Sequence, residues 1–189
     1  WHVPLFFFLS GWFWKRGRPL GADLRSRAKS LLIPYGFWLV IGLGMLGAMG
    51  LLSPDGILAI LRGGSTAKGI FAAFWFITAL FWASMFARLL EPLPAWVAWA
   101  VAVAGTAASY VLPLGALPRA IGQAFPGLLF LLCGALAARF RLPWWVGIGA
   151  LAAAALIIAF VPLAYFNLKS MNLGTPVVGI AMAVGISWG

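Results

Sequence analysis

The sequence holds almost no acid. Asp23, Asp55 and Glu91 stand against 13 lysines and arginines, and charged residues of both signs make up 8% of the 189-residue chain, where a soluble domain carries about 25%. All three acids fall between the long apolar runs, so a proton relay or cation pathway lacks the intramembrane carboxylates it normally uses. With one cysteine, Cys133, no intrachain disulfide can form, and its place in the apolar stretch 128–138 suits a small hydrophobe. One histidine and one cysteine cannot build a protein-only zinc site. Ser10 lies eight residues after His2, roughly 12 Å along a helix, which excludes a local serine–histidine pair. No glycine-rich phosphate loop of the P-loop pattern is present.

What is abundant is apolar surface. Hydrophobic residues make up 64% of the chain and the mean hydropathy is +1.04, so the sequence is that of an integral membrane protein. The formal charge of +10 does not point to nucleic acid, because the cations sit in connectors between apolar runs. Those runs follow one another closely: 1–15, 31–52, 70–90, 95–112, 121–138 and 144–161, with a seventh from Pro176. The expected fold is all-α, a polytopic transmembrane helical bundle of about six spans plus a truncated seventh, in a single domain over 1–189. The start at Trp1 and the stop inside an apolar run read as a fragment cut at both ends.

Charge sets the expected orientation. Lys15, Arg16, Arg18, Arg25, Arg27 and Lys29 crowd one connector against Asp23 alone, so the basic loop 15–29 is expected on the cytoplasmic side of an inner membrane. Strict alternation then adds Arg88, Arg139 and Arg141 to that side and leaves Arg62, Lys68, Arg119 and Lys169 outside. Trp12, Trp14, Trp96, Trp99, Trp144 and Trp145 lie near the inner turns, as an interfacial belt requires. Pro34 is expected in the first turn of the second span, Gly42, Gly44, Gly47 and Gly50 to admit close helix contact, and residues 57–61 to form a short interfacial helix.

His2 stands apart. Twelve helical steps place it roughly 18 Å from the basic edge at Trp14, deep in a hydrocarbon core about 30 Å thick. An ionisable group at that depth is a candidate functional site. A neutral imidazole can take a proton from a hydroxyl near neutral pH. The alternative is a histidine that only packs. The basic loop has two readings as well, a site for an anionic phosphorylated cosubstrate or a purely topological signal.

The stretch His2-Val3-Pro4-Leu5-Phe6-Phe7-Phe8-Leu9-Ser10-Gly11 resembles the opening signature of membrane acyltransferase family 3. The basic loop leading to Leu31-Leu32-Ile33-Pro34-Tyr35, then Trp75 to Phe81, Phe130 to Gly134 and the polar loop 167–174 are similar to its later landmarks, in the same order. The likeness is nearest the fucose 4-O-acetylase-like branch. It implies transfer of an acetyl group from cytoplasmic acetyl-CoA to a sugar or glycan hydroxyl, with acetyl-CoA as cosubstrate and no resident cofactor or metal. By that resemblance His2 is catalytic and Arg25, Arg27 and Lys29 hold the donor. From the topology and their own chemistry, Trp75, Asn167 and Lys169 are candidates for holding the acceptor, against interfacial anchoring for Trp75 and a solvated loop for the other two. Val3 stands where the family has Met, Lys29 and Ser30 where a second arginine is expected after Arg27, and the family's preceding span has no counterpart, so the fragment is expected to need that span for activity. The competing function is a polytopic glycan or lipid transporter in which His2 lines a polar passage.

Overall fold

The computed structural model describes residues 2–62, 71, 73–114, 117–140, 145, 148–149, 152–153, 156 and 166–173. Among these the architecture is helical. α1 spans His2–Trp12, α2 Leu20–Arg27, α3 Ile33–Ala48, α4 Pro54–Arg62, α5 Phe74–Leu90, α6 Ala95–Ala108 and α7 Ala124–Phe140. A two-residue antiparallel ladder, β1 Phe166–Asn167 with β2 Asn172–Leu173, closes the expected polar loop as a hairpin. The expected runs at 144–161 and from 176 fall largely outside the described residues.

Prolines and one glycine set several boundaries. Pro4 sits in the first turns of α1, where its missing amide proton is harmless, and Pro19 and Pro94, both extended, launch α2 and α6. The basic segment is not a loop throughout: α2 runs through a π-helical turn, Ala28–Leu32, into α3, giving one helix over Leu20–Ala48. In that turn the Ile33 amide donates to the Ala28 carbonyl five residues back, a wider turn just where Pro34 would otherwise clash with the preceding one. The second run ends at Ala48 rather than 52. Gly50, at φ +68, lets Leu51 donate to Leu46 and Gly50 to Gly47, the paired bonds of a left-handed helix stop.

Helix α7 is the centre. It packs along α1 most extensively and also against α5 and α6, and Leu128, Phe130 and Leu131 are wholly enclosed with Phe7, Ala79 and Ala83. Phe7 meets Gly127 and Gly11 meets Leu131, so α1 and α7 run the same way. α5 shares that direction, since Phe76 lies against Phe6 and Phe7 while Arg88 reaches the Lys15 carbonyl. α2–α3 runs opposite along α5: Asp23 meets Arg88, Arg27 meets Ser84 and Tyr35 meets Phe74. α6 is also reversed, with Trp99 near Leu90 and Gly105 at Phe125. This is the alternation that successive crossings require.

Two helices, Leu20–Ala48 and Pro118–Phe140, are long and apolar enough to cross a membrane; Val3–Trp12, Phe74–Leu90 and Ala95–Ala108 are apolar but shorter. The first exposes Ile33, Phe37, Trp38, Val40 and Met45, an outer face suited to lipid. The short helix expected at 57–61 is present as α4, whose Ile60 packs with Phe71 under Leu39 and Leu43 of α3.

Of the four glycines expected to admit close contact only Gly42 is buried, and the tightest described approaches fall elsewhere. Gly44 has open space around it, whereas a Cβ on Gly134 would sit 1.9 Å from the Phe8 carbonyl oxygen and one on Gly11 1.8 Å from that of Leu131. Backbone thus meets backbone. Gly134→Ala is expected to destabilise the detergent-solubilised protein by about 2 kcal/mol or more, while Gly44→Ala should be neutral or slightly stabilising. Thermal melting of the two variants side by side checks this, and equal melting temperatures would refute the packing assignment.

Candidate active site

Chemistry-bearing residues gather at the two ends of the bundle. At the basic end, Asp23 is 2% exposed although it belongs to the most cationic segment of the chain. Its Oδ2 accepts from Arg27 Nε at 3.0 Å and from Arg88 Nε at 3.2 Å, and Arg18 Nη1 stands 3.6 Å from Oδ1. Arg27 also donates to Ser84 Oγ at 2.9 Å, and Arg88 to the Lys15 carbonyl at 2.9 Å and to Glu91. Glu91 in turn accepts the Gly17 amide proton at 2.8 Å. Both guanidinium carbons lie over the Trp14 ring, 4.8 Å away for Arg27 and 4.4 Å for Arg88, a cation–π arrangement strengthened by burial.

Arg27 therefore occupies a different place from Arg25 and Lys29. A helix turns about 100° per residue, so residues 25 and 29 share an outer face, where both are exposed, while 27 and 23 point at α5. The three cations expected to form one donor site are divided by the helix itself. Beside the network a cavity of about 300 Å³ is walled by Leu90, Trp99, Leu131, Leu132, Ala135 and Leu136, with Trp14, Arg16, Glu91 and Arg139 lining it. A second depression of about 330 Å³ shares Trp14, Arg16, Ala135 and Arg139 and adds Gly11, Trp12 and Ala138. Apolar walls with two arginines suit a ligand that has an anionic portion and an uncharged chain.

At the opposite end, about 20 Å away over the thirteen residues from Trp75 to Arg88, lie the other expected residues. His2 opens α1; its backbone is described and its side chain is not. Val3 next to it packs on the cluster that holds Trp75 and Leu168. Trp75 is 5% exposed, so its ring is a core element rather than an open stacking platform. Asn167 Oδ1 accepts the Lys169 amide proton at 3.0 Å, tightening the hairpin turn, and the Lys169 carbonyl accepts from Gln123 Nε2 at 2.9 Å. One end of the bundle thus brings the first turn of α1, Trp75 and the Asn167–Lys169 turn together.

Asp23, Arg88, Glu91, Arg16, Arg139 and Gln123 were not singled out as site residues by the sequence. The Asp23–Arg27 and Arg88–Glu91 spacings of four and three are legible as same-face ion pairs, but their convergence needs the antiparallel register of α2 and α5. Removing one partner of a buried charge network leaves the others uncompensated. Asp23→Ala, which leaves Arg27 without a carboxylate partner and Arg88 with Glu91 alone, is expected to cost about 3–5 kcal/mol, and Arg25→Ala less than about 0.5 kcal/mol. Comparable melting temperatures for the two variants would show that the network does not hold the helices.

No curated protein and no solved structure matches the chain. A family model described as an acyltransferase domain matches residues 1–188, the whole of the helical assembly with both of its ends. Apolar helices and this match together make the chain a membrane protein of the acyltransferase class, and it belongs to acyltransferase family 3.

Proposed function

We propose that the chain is a membrane O-acyltransferase that moves an acetyl group from acetyl-CoA to a sugar or glycan hydroxyl, in the manner of the fucose O-acetylase-like branch. The observation that carries this reading is the apolar cavity at the basic end with Arg16 and Arg139 in its lining. Those guanidinium groups would hold the phosphates of the nucleotide portion through charge-assisted hydrogen bonds. Arg25 and Lys29, exposed at the same end, would add longer-range attraction, and Arg27 would hold α2 in place. The basic end faces the cytoplasm of an inner membrane by the excess of cations. The runs at 144–161 and from 176 would complete a polytopic bundle.

In the reaction the acceptor hydroxyl oxygen attacks the thioester carbonyl, the carbon–sulfur bond breaks, and an ester and free coenzyme A result. His2 takes the hydroxyl proton as oxygen attacks and returns it to the departing thiolate, so the imidazole ends as it began. Its place at the far end of α1 puts it with the hairpin of Asn167 and Lys169, which would face the acceptor, while Trp75 would shape that end from within the core. The donor then spans the bundle. An extended, uncharged pantetheine arm is the part of coenzyme A that can lie between apolar helices.

Transfer of labelled acetyl groups in membranes carrying the complete reading frame tests the assignment. His2→Ala is expected to lower kcat by about 100-fold or more. Arg16→Ala combined with Arg139→Ala should raise the KM for acetyl-CoA about tenfold and leave kcat nearly unchanged. Transfer at the wild-type rate by His2→Ala would remove the proposed base, and substrate flux without any acetylated product would identify a transporter instead.

A further inference from the structure

Gln123 is fully enclosed, at 0% exposure, immediately before α7. Its Nε2 donates to the Lys169 carbonyl at 2.9 Å, and its Oε1 has no hydrogen-bond partner. A buried amide oxygen left without a donor costs about 1–3 kcal/mol, and such groups call for a missing partner. The register says where that partner would come from. Gly127, one turn after Gln123 on the same face, lies against the Phe7 ring, and α1 runs parallel to α7. One turn back on both helices sets Gln123 level with Val3, beside His2.

The surrounding backbone is also unusual. Arg119 and Ala120, just before Gln123, and Met171, just after the Lys169 carbonyl, have φ of 55°, 57° and 57°. Non-glycine residues in this region cost about 1–2 kcal/mol each and persist where surrounding contacts impose them, which happens most at functional sites. Three such residues bracket one hydrogen bond.

We infer that Gln123 determines acceptor specificity, its Oε1 accepting a hydrogen bond from a hydroxyl of the acceptor that does not itself react. The inference rests on the acyltransferase reading above and adds to it the residue that reads the acceptor. The reacting hydroxyl must give its proton to His2, so an acceptor with a second hydroxyl beside the reacting one presents both donors to the two residues together. A polyol such as a sugar ring has this arrangement. The Lys169 carbonyl holds the amide in one orientation, with Nε2 toward the hairpin, and this leaves Oε1 for the ligand.

The test uses detergent-solubilised protein from the complete reading frame, labelled acetyl-CoA, and methyl glycosides of common hexoses with their singly deoxygenated analogues. Wild type is expected to lose about tenfold or more in kcat/KM on one deoxy analogue that retains the reacting hydroxyl. Gln123→Met, of similar size, should fall by a like factor on the parent glycoside and show no further loss on that analogue. An unchanged kcat/KM in Gln123→Met overturns the inference while the acyltransferase reading stands. So does an equal loss on every acceptor with an altered pH profile, which would mean that Oε1 serves His2. If acetyl reaches the membranes' own glycans but no glycoside, full labelling by Gln123→Met is the overturning result, and reduced labelling with an unchanged melting temperature supports it. Neither acetyl transfer nor a rise in wild-type melting temperature with any glycoside would overturn both.

Discussion

The Asp23 carboxylate is the interaction on which the basic end depends. It lies in α2, is closed off from solvent and draws Arg27 of its own helix and Arg88 of α5 onto a single oxygen. A buried pair is a weak source of net stability, because desolvation offsets attraction, but it is strict about geometry. Here that strictness fixes the antiparallel register of α2 on α5, since a shift of one turn would strand a charge on each helix. Trp14 adds a surface for both guanidinium groups, and the Glu91 carboxylate ties down the chain that follows α1. The segment that would otherwise be a string of repelling cations is ordered by two acids.

The rest of the bundle is held by a different constraint, the approach of α1 to α7. Glycines at 11, 127 and 134 remove side chains where backbone or the Phe7 ring must pass, which in an apolar surrounding yields dispersion contacts that the hydrophobic effect alone would not supply. The two constraints agree on direction. Glycine contacts make α1 parallel to α7, and the ion network ends α1 and α5 at one level. Charged groups therefore collect at one end, and the described polar groups near the first turn of α1 collect at the other.

Much of this organisation was legible from the sequence. The apolar runs through 138, the short helix that became α4, the alternation of directions and a polar loop where the hairpin at 166–173 forms all follow from hydropathy and from where Pro, Gly and charge interrupt it. The start of the second helix was not, because a run of Arg, Lys and Ser reads as a connector when hydropathy is the criterion; the helix forms there because Asp23 and Arg27 find partners on α5. The resemblance likewise grouped Arg27 with Arg25 and Lys29 as one basic loop, although a helix turns by about 200° from one residue to the second following. Gly50 looked like a contact glycine and proved to be a helix stop. Gln123 carries no local signal at all, since its significance comes from a carbonyl 46 residues away.

Division of labour among the cations bears on what the basic end can bind. Arg88 has its guanidinium committed to Asp23, Glu91 and a main-chain carbonyl, and Arg27 to Asp23 and Ser84. Groups so engaged would have to break buried bonds to receive a phosphate, at a cost that cancels much of the gain. Arg16 and Arg139 belong to the lining of both cavities and are exposed. An anionic ligand arriving at this end would therefore meet those two first, with the network anchoring the chain on either side of Arg16 through the Lys15 carbonyl and the Gly17 amide. The inner walls beyond them are apolar, so only an uncharged portion of the ligand can extend toward the first turn of α1, and the charged portion is kept at the rim by the same physics that keeps ions out of hydrocarbon.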